Sequence, residues 1–136
     1  GAAMRALVAE IEATAEDLSQ LPGDDLTTIR EALREGARAL AEATDWMLAS
    51  RDANVAMAVS VDYMMLAGIV CGCWQMARAA RAAQNRLSTG EDIVFHEAKL
   101  VTARFYAEHV LPKSGALLRS VRNGGVSILA LTEEQF

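Results

Sequence analysis

The stretch from Val55 to Leu87 constrains the fold most, because as a helix it is apolar on nearly every side. Val59, Tyr63, Leu66, Val70 and Ala77 recur along one flank, while Met57, Val61, Met64, Met65, Gly68 and Met76 cover most of the remainder. Such a helix is either central to its domain or covered by something outside the chain. In a small bundle each helix should keep one flank in water, so Met57, Tyr63, Met64, Met65, Gly68 and Met76 are expected to form a domain interface. Gly68 and Gly72, four apart, permit close backbone approach. The later half turns polar, with Arg78, Arg81 and Arg86 at the end where cations suit the helix dipole.

Three more helices surround this one. Met4, Leu7, Val8, Ile11, Ala15 and Leu18 recur at three- and four-residue steps over Ala3 to Gln20, and Leu21-Pro-Gly-Asp-Asp ends that run. A second helix is predicted from Asp25 or Thr27, where Thr28 and Glu31 have capping-box spacing; Leu26, Ile29, Leu33, Gly36, Leu40 and Met47 form its seam. Glu31 with Arg34, and Glu35 with Arg38, are expected to pair on its wet face. Arg51-Asp-Ala-Asn is a loop, and Ser88-Thr-Gly-Glu-Asp a second turn. The fourth helix places Val94, Ala98, Val101, Phe105 and Ala107 or His109 toward the core. Pro112 kinks it or ends its first segment. A shorter helix, Lys113 to Arg122, stops at Asn123-Gly-Gly, and Val126 to Phe136 adds one more turn. The expected architecture is all-α: an up-and-down four-helix bundle with a proline-kinked last helix, forming one domain over residues 1–136.

Composition agrees. Hydrophobic residues make up 52% of the 136 residues but aromatics only 5%, so alanine and small aliphatics must pack helices closely. A net charge of −5 excludes a nucleic-acid footprint. The longest apolar run, Tyr63 to Trp74, is too short to span a bilayer. Cys71 and Cys73 are expected to be free thiols in a reducing cytoplasm. Gly1-Ala-Ala reads as residues added ahead of a natural sequence; Met4 is a candidate initiator, and an excised fragment is an equal alternative.

Catalytic patterns are missing. Ile93 and Tyr106 stand three before His96 and His109, where a di-iron bundle needs glutamates, and no metal-ligand spacing is visible. No nucleophile elbow, phosphate loop or dinucleotide fingerprint occurs. His109 beside Glu108 is expected to be structural. Arg78 and Arg81, with Arg86, are candidates for a phosphate contact, against the plainer reading of solvated surface. Arg104, Tyr106 and Pro112 are read as a structural clamp.

The run Thr102-Ala-Arg-Phe-Tyr-Ala-Glu-His-Val-Leu-Pro112 resembles the C-terminal domain appended to long bacterial acyl-CoA dehydrogenases, the class that includes broad fatty-acyl-CoA and 3-methylmercaptopropionyl-CoA enzymes. The likeness extends to Thr44-Asp-Trp-Met-Leu48, Tyr63-Met-Met-Leu-Ala-Gly68 with Gly72, Trp74 and Ala77-Arg78, and Leu129 to Phe136. Met65 stands where that family is expected to carry Arg, and Ala67 where it carries Phe. The resemblance implies an upstream core that binds FAD and uses a glutamate to take the α-proton of an acyl-CoA while hydride passes to the flavin. It further implies a homodimeric, cytoplasmic parent, with this chain packed on the core and holding no catalytic or cofactor-binding residue. A stand-alone helical adaptor and a CoA-phosphate-binding module are the rival readings.

Overall fold

In the computed structural model, which describes residues 1–135, six α-helices and a closing 3₁₀ turn follow one another. They are α1 (Ala2–Ser19), α2 (Asp24–Ala49), α3 (Ala53–Ala58), α4 (Ser60–Ser88), α5 (Ile93–His109) and α6 (Lys113–Ile128); Glu133–Gln135 forms the 3₁₀ turn. Phe136 lies outside the described residues.

The helices form where the apolar spacing puts them. Val8, Ile11, Ala15 and Leu18 are the buried face of α1. Leu26, Ile29, Leu33, Gly36, Leu40 and Ala43 are that of α2, and Leu66, Val70, Cys73, Ala77, Ala80 and Ala83 that of α4. Fully burying each leucine, isoleucine or valine contributes about 1.5–3 kcal/mol. Cross-contacts fix the directions. Arg5 meets Asp45 and Arg34 meets Glu16, so α1 and α2 are antiparallel. Thr44 meets Tyr63, Arg104 meets Asp25 and Arg122 meets Glu42, so α4 runs against α2 while α5 and α6 both run with it. The pair α2 and α4 forms the middle, with α1 along one side and α5 and α6 along the other. This is the expected all-helical bundle with an interrupted fourth arm.

Two polar side chains at the helix contacts are tied off by neighbours, whereas the buried Ser114 hydroxyl finds no partner among the described residues. Thr44 Oγ1 donates to the Leu40 carbonyl at 2.7 Å and lies 2.9 Å from the Tyr63 hydroxyl. Trp74 Nε1 donates to Thr14 Oγ1 at 2.7 Å, linking α4 to α1.

Several local expectations are corrected. The third helix is two: Asp52 caps α3 through the Asn54 N–H at 2.9 Å, and the chain turns at Val59 before α4 begins. No side chain caps α2, whose N-cap is Gly23, so Thr28 and Glu31 form no capping box. Arg34 bonds Glu16 across to α1 instead of Glu31. At the fourth arm, Pro112 ends rather than bends the helix. The Val110 and Leu111 N–H groups both donate to Tyr106 O, and Pro112, lacking an N–H, becomes the N-cap of α6. Asn123-Gly-Gly does not stop α6, which continues to Ile128. Gly125 is buried there because a Cβ would sit 2.6 Å from Val55 Cγ1 and 3.0 Å from the Val55 carbonyl oxygen.

The largest correction concerns α5. Its buried face is Leu100, Ala103 and Ala107, whereas Val94, Ala98, Val101 and Phe105 are exposed. Two of the three inner residues are alanines, in keeping with a close approach to α4: the Tyr106 side chain lies directly over Gly72, where any Cβ would overlap its hydroxyl.

Candidate interaction surface

Val61, Met64, Met65 and Gly68 follow a three–one–three spacing that puts them on one stripe of α4, opposite Leu66 and Val70. The stripe faces solvent, with Met64 66% exposed. Met57, on α3 across the Val59 break, is 64% exposed. Tyr63 and Met76 differ: both are partly buried against the core, Tyr63 through its bond to Thr44. Gly68 has open space around it and makes no close helix approach.

The end of α6 adds residues that sequence reasoning missed. Gly125 rests on Val55 and Gly124 faces Val59, so the last turn of α6 lies against α3. Val126, Ile128, Leu129 and Leu131 then stand exposed at the end of the bundle that also carries Met57 and Val61. The signal was present as an apolar tail, but reading Asn123-Gly-Gly as a stop detached it from the domain. Fully burying a methionine or leucine contributes about 1.5–3 kcal/mol, and a covering partner would recover roughly the half of it that each of these side chains leaves exposed.

The arginines turn to separate neighbours. Arg81 bonds Asp17 of α1 at 2.5 Å, and Arg86 bonds Glu91 at 2.6 Å. Arg78 lies over the Trp74 ring, 5.5 Å from its centroid, and donates to Gln75. Two of the three cations therefore already face a carboxylate. A hollow of about 480 Å³ between α1 and α2 is lined by Glu12, Glu16, Arg34 and Arg38, and the Arg34–Glu16 pair spans it.

Arg104 holds two carboxylates at once. Nη1 donates to Asp25 at the start of α2 and Nε to Glu108 one turn along α5, both at 2.9 Å. The bond to Asp25, then that to Glu108, raises its already high pKa further. Tyr106 donates to the Ile69 carbonyl at 3.1 Å, and burial, with the neighbouring thiols of Cys73 and Cys71, pushes its phenol pKa up. Arg104, Tyr106 and Pro112 thus tie α5 to α2, to α4 and to α6 respectively. His109 is exposed and stacks on Phe105 at 4.7 Å. Both cysteines are free; burial pushes the Cys73 thiol up to about 12 and raises that of Cys71. Among the described residues no group of three or more His, Cys, Asp or Glu side chains is placed to hold a metal ion, and no helix is long and apolar enough to cross a membrane.

These features define an all-α domain whose most conspicuous surface is apolar and unpartnered. The chain belongs to the acetyl-CoA dehydrogenase C-terminal-like family, whose model matches residues 7–132. It is 34% identical over 131 residues to the 3-methylmercaptopropionyl-CoA dehydrogenase of Ruegeria pomeroyi, a match covering 95% of this chain and 22% of that protein. It is 31% identical over 71 residues to the butyryl-CoA dehydrogenase of Syntrophomonas wolfei, covering 50% of this chain and 12% of the relative. The chain thus spans about a fifth of the length of the first relative.

Proposed function

We propose that this chain is the non-catalytic C-terminal domain of an FAD-dependent acyl-CoA dehydrogenase. It packs on an upstream dehydrogenase core of the same polypeptide and stabilises a homodimer or covers the acyl-CoA site. The parent reaction in this reading is α,β-dehydrogenation of an acyl-CoA thioester in the cytoplasm. Flavin and thioester belong to the core: the cations here that an anionic cofactor would need are turned to Asp17, Glu91 and the Trp74 ring.

The observation that carries the reading is the exposed stripe Met57, Val61, Met64 and Met65 in a family whose compared members are several times longer. Methionine's flexible thioether adapts to an irregular facing surface. Its test is the double substitution Met64→Asp and Met65→Asp in the full-length polypeptide. Both side chains are exposed, so the domain itself should keep its helicity. Buried carboxylates opposite the core should separate domain from core, seen as lost flavin absorbance, altered sedimentation or reduced acyl-CoA-dependent dye reduction. A variant that keeps parental assembly and kinetics refutes the packing role.

A further inference from the structure

The outer face of α5 is a second unpartnered seam. Successive helical residues turn by about 100°, so Val94, Ala98, Val101 and Phe105 fall within a sector roughly 60° wide, nearly opposite the buried Leu100, Ala103 and Ala107. Val94 is 81% exposed, Val101 65% and Phe105 57%. Their four–three–four spacing is that of the a and d positions of a coiled-coil seam. The same pattern on a free helix face calls for another helix.

We propose that this seam is a two-fold interface with a second copy of the chain, the two α5 helices packing antiparallel. Val94 then faces Phe105 of the second copy and Ala98 faces its Val101, and the two-fold repeats both layers. In that register the flanking positions bring Glu97 of each copy to Arg104 of the other. Glu97 makes no ion pair among the described residues. Arg104 uses Nε for Glu108 and Nη1 for Asp25, while its Nη2 makes no hydrogen bond among those residues and is free to donate across the interface. A parallel pair would set Glu97 opposite Thr102 and leave that donor unused, so the charge pattern selects the antiparallel arrangement. Rim charges of this kind fix register more than affinity, and the affinity comes from the four apolar layers. Glu91, which the register carries toward Glu108 of the second copy, is already held by Arg86.

The proposal does not rest on the dehydrogenase reading and is tested on the 136-residue chain, which has its own core. Sedimentation over a concentration series should show the mass rising from 14.6 kDa toward twice that value. Val101→Glu, at an exposed site, should hold the mass at the single-chain value while leaving the far-UV circular dichroism spectrum of the folded chain unchanged. Glu97→Arg should weaken association about tenfold or less, and Met64→Asp with Met65→Asp should leave it intact. In a Cys71→Ala background, oxidising a mixture of Val94→Cys and Phe105→Cys chains should give the mixed disulfide dimer, with neither variant linking to itself. A chain that stays monomeric up to about 1 mM overturns the proposal. So does a dimer broken by the methionine substitutions but not by Val101→Glu, or one in which Val94→Cys links to itself.

Discussion

Gly124 and Gly125 are neighbours on α6, yet adding a methyl group to each should move stability in opposite directions. Glycine inside a helix costs up to about 1 kcal/mol relative to alanine, and that gain is available at both sites. At Gly124 the added Cβ would meet only Val59 Cγ1 at 3.7 Å, an ordinary contact, so Gly124→Ala should stabilise by up to about 1 kcal/mol. At Gly125 the Cβ would lie 2.6 Å from Val55 Cγ1 and 3.0 Å from the Val55 carbonyl oxygen. A side-chain methyl can rotate away, but a backbone carbonyl cannot, so α3 or α6 must shift. Overpacking of this kind costs about 1–3 kcal/mol, which exceeds the propensity gain. The two variants should therefore differ by about 1–3 kcal/mol, or several degrees in melting temperature for a chain of this size. Urea unfolding followed by far-UV circular dichroism reads both midpoints, with the slope expected to stay constant. If both substitutions stabilise equally, Gly125 does not touch α3, and α6 ends at Asn123 as the glycine pair alone would suggest.

Two further outcomes follow from buried groups. Ser114 is fully buried and its hydroxyl has no hydrogen-bond partner among the described residues, so Ser114→Ala removes an unpaired polar atom and should raise stability by about 1 kcal/mol in the same urea assay; a loss of that size would mean the hydroxyl is satisfied in solution. Cys73 stays protonated in the folded chain to about pH 12, whereas the unfolded thiol ionises near 9.0. Its contribution to stability is therefore complete below pH 9 and lost as pH rises above it, at a slope of up to about 1.4 kcal/mol per pH unit. Cys73→Ala should flatten the fall in urea midpoint between pH 8 and pH 10, and equal falls in both proteins would sink the argument.

Helices α1 and α2 were legible because each has one apolar period and one wet face, so the larger residues and the buried residues coincide; α4 kept Leu66, Val70 and Ala77 inside although its opposite side carries Val61, Met64 and Met65. Helix α5 breaks that coincidence. Both of its faces are apolar, and periodicity weighted by side-chain size selects Val94, Val101 and Phe105, the wrong ones for the core. What decides is the shape of the surface α5 lies on. Gly72 leaves room for Tyr106 to cross α4 closely, and that contact turns Leu100, Ala103 and Ala107 inward. That information is tertiary; it becomes readable only once Tyr106 is known to cross Gly72. The same holds at the other end of the chain. A Gly-Gly pair carries two opposite local meanings, chain reversal and close approach, and the sequence around Asn123 does not distinguish them until Val55 is placed beside Gly125.

The exposed apolar surface was half legible for a related reason. The exposed stripe of α4 recurs at helical spacing, so a helical wheel finds Val61, Met64, Met65 and Gly68, but it does not separate them from Tyr63 and Met76, which are partly buried against the core. The arginines show the converse limit. Local i,i+3 pairing assigns Arg34 to Glu31, yet it finds Glu16 eighteen residues away, because α1 runs alongside and a carboxylate on a neighbouring helix competes on equal terms with one on the same helix. In this chain, then, small residues set how near the helices come. That spacing determines which apolar residues are left outside, and on those residues, rather than on any polar cluster, both proposed interfaces rest.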